Sequence, residues 1–172
     1  MLHRDWEKFL RCGSWFPPGK VLNTLLILGP MSLAYFIDPS CADLADVYRD
    51  NFQPSIFAKE PRISLGVFSI CADTDKEAEE LSLSAAAWRQ NSQKGIFGTF
   101  PTLSEAKESI NGDLLETNDN RTFVGSSQSV RQKIQPLLDK VKPEELKIIT
   151  ICEPFSARVR SYDLINQSFS LN

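Results

Sequence analysis

Histidine is nearly missing from this chain: its 172 residues include one, His3. The four cysteines, Cys12, Cys41, Cys71 and Cys152, are far apart in sequence. No C-x-x-C pair occurs, and a lone histidine cannot complete a Cys/His ligand set, so no metal site is expected. Dispersed thiols of this kind read as free cysteines of a reducing, cytoplasmic compartment. A basic segment is lacking too. Formal net charge is -3, and Lys and Arg are scattered rather than gathered on one stretch, which argues against a nucleic-acid partner. Neither G-x-G-x-x-G nor G-x-x-x-x-G-K-[ST] is found, so both nucleotide fingerprints are missing.

No hydrophobic run is long enough to span a bilayer. The nearest is VLNTLLILGPMSLAYFI, residues 21–37. It falls short of the ~20 apolar residues a spanning helix needs, and Gly29-Pro30 interrupts it. The preceding residues mix acids with bases, and no A-x-A-like cleavage site follows, so an export signal is not indicated either. A soluble protein without a membrane partner is expected. The length suits one domain with a real core and is short for two.

What is present alternates between strand-like and helix-like patterns. MSLAYFI, residues 31–37, reads as a strand stopped by Asp38-Pro39. Ser40 is placed to cap a helix over 41–52, with Leu44, Val47, Tyr48 and Phe52 on one face and Pro54 beyond it. The stretch RISLGVFSICADTDKEAEEL, residues 62–81, carries the clearest signal. Ile63, Leu65, Val67, Ser69 and Cys71 point one way in a strand, and Ser64, Gly66, Phe68 and Ile70 the other. Both faces are largely apolar, as a strand covered on both sides requires.

Beyond it, Ala78, Leu81, Ala85 and Trp88 recur at helical spacing, giving a helix over 75–89. Asp73 or Thr74 is a natural N-cap, and Asp75 and Glu77 fall in the first turn, where the helix dipole favours negative charge. The acid cluster is therefore expected to start a helix and to bind no metal. Residues 91–122 are polar and irregular, with one short helix at LSEAKESI. In FVGSSQSVRQKIQPLLDKV, Gly125 reads as a turn and Ser126 as a cap. Val130, Ile134, Leu137 and Val141 form the buried stripe of a helix over 126–140, which Pro136 should bend or shorten. LKIITIC, residues 146–152, is a further strand. A last helix over 156–168 has Val159, Tyr162, Ile165 and Phe169 as its apolar positions. Strands alternating with helices argue for an α/β fold with parallel strands joined by helical crossovers.

Taken in order, PMSLAYFIDPS, YRDNFQPS, PRISLGVFSICADTDKEAEEL, FVGSSQSVRQKIQPLLD and LKIITICEPFSARVRSYDLI resemble the C-terminal part of the bacterial luciferase-like monooxygenases. The resemblance covers residues 29–169, leaving 1–28 as a divergent N-terminal segment. It implies the C-terminal portion of a (β/α)8 TIM barrel lacking its early strands, since a whole barrel takes about 250 residues. It further implies oxidoreductase activity with reduced flavin, FMN or in some branches F420, acting with dioxygen on a small organic substrate. The Gly-Ser-Ser turn that family members use near the flavin phosphate has no counterpart before residue 31, where VLNTLLILG stands instead. Where the family commonly has proline in the VGSSQSV segment, Ser127 stands.

By the same resemblance, flavin contacts fall at the end of the first matched strand, on Ala34 and Tyr35; plain core packing is the alternative for both. Cys71 and Ala72 end the next strand, and Cys152 and Glu153 the last. Each is a candidate to line a pocket, or else a packed or capping residue. The helix start at Ser126–Gln128 offers N–H groups for an anion, unless Ser126 alone caps it. His3 lies outside the matching span, and no catalytic residue is assigned. A different reading is a catalytically silent barrel fragment that acts by association, as a homo- or hetero-oligomer. An open set of strands leaves unpaired edges and apolar surface for a partner.

Overall fold

The computed structural model of the protein describes residues 33–36, 42, 44–50, 52–56, 58–109 and 122–169. Its elements are β1 (Leu33–Phe36), α1 (Leu44–Asp50), β2 (Ile63–Ala72), α2 (Asp75–Gln93), α3 (Leu103–Ser109), β3 (Thr122–Ser126), α4 (Ser127–Val141), β4 (Glu145–Ile149) and α5 (Phe155–Phe169). β2 is the strand that the two-sided apolar pattern calls for. Nine of its ten residues are buried, and only Phe68 is partly exposed. It pairs in parallel with β1 and with β3, and β4 pairs with it as well. The fold is mixed α/β around a parallel sheet.

The described residues divide into two units. One runs up to Val67 and takes in Pro136–Lys147; the other comprises Phe68–Gln135 and the chain from Ile148 onward. In the first, β1 lies along the start of β2, with Leu33 opposite Ile63 and Phe36 opposite Gly66. Ile63, Leu65, Val67 and Ala45 are buried there, as are Leu137 and Val141 from the last turns of α4. Those turns are closed by Arg49, whose Nη2 donates to the Val141 and Lys142 carbonyls at 2.6 and 2.8 Å. Carbonyls at a helix end have no intrahelical partner, so a guanidinium satisfies them well. Glu144 exchanges two hydrogen bonds with the backbone of Ile63, its carboxylate accepting and its N–H donating.

In the second unit, β3 lies beside the second half of β2, from Thr122 opposite Phe68 to Ser126 opposite Ala72. Ile70 and Ala72 face α2, where Ala78, Leu81 and Ala85 pack on them together with Cys152. Full burial of a side chain such as Ile70 is worth about 1.5–3 kcal/mol. Phe100, Val124 and Ala157 close the margin of this cluster.

Several expectations change. β3 is a strand where the sequence reads Gly125 as a turn, although Ser126 caps α4 as expected, its hydroxyl accepting the Ser129 N–H at 3.5 Å. Five residues that include Gly125 and two hydroxyls carry no strand pattern of their own, and pairing with β2 supplies the missing order. β4 ends at Ile149, short of Cys152, because the Thr150 N–H donates to the Tyr162 hydroxyl at 3.1 Å instead of entering a ladder. α2 continues to Gln93, since no Gly or Pro interrupts it before Gly95. Pro136 does not shorten α4, which passes through it to Val141.

α5 buries only part of the face expected: Ile165 is inside and Phe169 half-buried, but the rest of the stripe is not. Ser161, Leu164 and Ile165 are inside, whereas Val159 and Tyr162 are 43% and 41% exposed. The cause is Ser161, whose hydroxyl accepts the Cys71 N–H at 2.8 Å and turns that side of the helix toward the end of β2. Ala34 and Tyr35 lie on β1, opposite Ser64 and Leu65, but their side chains fall outside the described residues, as do residues 1–28 with His3 and Cys12, and Cys41.

Candidate functional site

Parallel strands bring their carboxyl ends to one edge, and in β/α folds ligands bind there. In the second unit this edge is formed by Cys71 and Ala72 of β2 beside Gly125 and Ser126 of β3. Four charged or capping side chains surround it, Asp73 and Thr74 from the turn after β2, Asp75 from the start of α2 and Arg160 from α5, and each has a definite partner.

Thr74 is the N-cap of α2. Its backbone is extended (φ -133°, ψ 156°), and its hydroxyl accepts the Glu77 N–H at 3.1 Å. This decides between the two capping candidates. Asp73 is left free to pair with Arg160 of α5, with Nη2 to Oδ1 at 2.6 Å and Nε to Oδ2 at 3.4 Å. The guanidinium holds the Asp73 carboxyl below the usual carboxylate range. Asp75 reaches across to the start of α4, where its Oδ1 accepts the Ser126 N–H at 2.6 Å. That bond first, and then the Ser129 and Ser126 hydroxyls, hold the Asp75 carboxyl low as well.

Gly125 makes this approach feasible. A Cβ there would lie 2.8 Å from Asp75 Oδ1 and 2.8 Å from Ser129 Cβ, and its φ of +153° also disfavours other residues. Ser126 contributes twice, with its N–H to Asp75 and its hydroxyl to Ser129. Of the amide groups at this helix start, that of Ser126 therefore already serves the protein's own carboxylate, and that of Ser129 serves the Ser126 hydroxyl. With Asp73 and Asp75 both ionised at this edge, the described residues do not fit a flavin phosphate there.

The two thiols at the strand ends are packed rather than poised. Cys71 is fully buried, and burial, followed by the negative charge of Asp73, pushes its thiol up to about 11. Cys152 belongs to the α2 cluster, and burial raises its thiol against the opposing charge of Arg158. A nucleophilic cysteine needs the reverse, a lowered pKa and access. Ala72 is buried in the same cluster, so of the strand-end candidates Glu153 alone remains partly exposed. Among the described residues no group of three His, Cys, Asp or Glu side chains is arranged to hold a metal ion. No described helix is long and apolar enough to cross a membrane. Two site features escaped sequence reading: the Asp75–Ser126 bond and the Asp73–Arg160 pair. Both join residues far apart in the chain, and only the acid-rich turn itself hinted at them.

No family model matches the chain. Among curated proteins it is 32% identical to the uncharacterized protein YceB of Bacillus subtilis (strain 168) over 140 residues, covering 78% of this chain and 42% of YceB. The chain thus spans about two fifths of the length of that relative. Among solved structures, apo-MsnO8 superposes with a TM-score of 0.75 at 27% identity, over 84% of this chain and 47% of MsnO8. Monooxygenase RslO1 from Streptomyces bottropensis and an FMN-bound type II Baeyer–Villiger monooxygenase from Pseudomonas putida align at 16% identity, with TM-scores of 0.47 and 0.43. Those scores are too low for either to bear on the chemistry of this chain.

Proposed function

We propose that this chain is the C-terminal part of a luciferase-like, flavin-dependent monooxygenase fold, with flavin placed at the carboxyl ends of its strands. The observation that carries this reading is the ordered succession of five family-like segments through residues 29–169. The likeness to MsnO8 over 84% of the chain is in keeping with it. Ala34 and Tyr35 are the proposed flavin contacts, with Tyr35 offering an aromatic face to the ring. When bound, the reduced flavin would supply the oxygen chemistry, and the surrounding protein would exclude water. The phosphate would have to be held outside the described residues, since the Asp75 carboxylate stands against the start of α4 and takes its Ser126 N–H. No reaction step is assigned to a residue of this chain.

A chimera tests this reading. Residues 29–169 would replace the matching stretch of YceB, and FMN would be titrated against YceB, the chimera and the chimera carrying Tyr35→Ala. Micromolar quenching of flavin fluorescence by the first two, lost in the third, is expected. A YceB that binds no flavin would remove the flavin reading. A chimera unaffected by Tyr35→Ala would remove Tyr35 from the site.

A second reading, in which the chain by itself is catalytically silent and acts by association, is favoured by the network at the described strand ends. Their amide, carboxylate and thiol groups are engaged with one another or buried. Ligand pockets bury roughly 70–90% or more of a ligand's surface, and the elements described here offer one wall. The purified chain is accordingly expected to be colourless and to leave FMN fluorescence nearly unchanged at micromolar concentrations. A yellow preparation would overturn this second reading.

A further inference from the structure

We draw no further inference here: the strongest candidate, the half-buried Arg158 guanidinium that lies over the Phe155 ring at the start of α5, rests on a helix start and a single cation, and no second group among the described residues points to a ligand there.

Discussion

The Asp75 carboxylate accepts the Ser126 N–H at 2.6 Å, although 51 residues separate the two. Asp75 belongs to the first turn of α2, and Ser126 is the last residue of β3, immediately before α4. One carboxylate therefore serves two helix starts: its charge lies at the amino end of α2, and its oxygen caps the backbone entering α4. Both roles draw on the same positive potential of unpaired N–H groups.

This bond has a pH signature. The Asp75 carboxyl is lowered in the folded protein, so its contribution is fully present above the ordinary carboxylate pKa of about 3.9 and fades as pH falls through the lower folded value. Asp75→Asn should be less stable than the parent at pH 7. The difference between the two in urea denaturation should shrink as pH is lowered below about 4. A difference constant from neutral to strongly acid pH would show that the carboxylate charge is not what matters.

Gly125→Ala should destabilise by about 1–3 kcal/mol, as overpacking typically does. The added methyl would meet Asp75 Oδ1 and Ser129 Cβ, each at 2.8 Å. Urea midpoints of the two proteins provide the comparison. An unchanged midpoint would mean that the strand end can shift at no cost.

Thr74→Ala should cost about 0.5–2 kcal/mol, the usual range for loss of an N-cap. Asp73→Ala should do less damage, because its ion pair with Arg160 is solvent-exposed. Equilibrium unfolding of both variants decides between them. A larger loss for Asp73→Ala would reverse the assignment of the cap.

Ser161→Ala removes the acceptor of the buried Cys71 N–H. An orphaned buried donor costs about 1–3 kcal/mol, so thermal unfolding should move to lower temperature. Hydrogen exchange at the Cys71 amide should also accelerate relative to its neighbours on β2. Unchanged exchange at that amide would show that another acceptor takes over.

Local features were legible in the sequence. The two-sided apolar run of β2, the stripe of Val130, Ile134, Leu137 and Val141 on α4, and a capped helix after Cys71 each follow from period and capping chemistry within a few residues. Burial agrees at all four positions of the α4 stripe. Tertiary structure alone decided the rest. β3 has five residues with a weak pattern, and it is a strand because the second half of β2 offers it a parallel edge. Asp73, Thr74 and Asp75 are near-equivalent in sequence. They take three different roles because Arg160 and Ser126, both distant in the chain, approach two of them. On α5 the expected stripe is buried only in part, because the Ser161 hydroxyl satisfies a backbone N–H at the end of β2. Periodicity reports how apolar a face is, whereas a buried N–H that must find an acceptor determines which face turns inward.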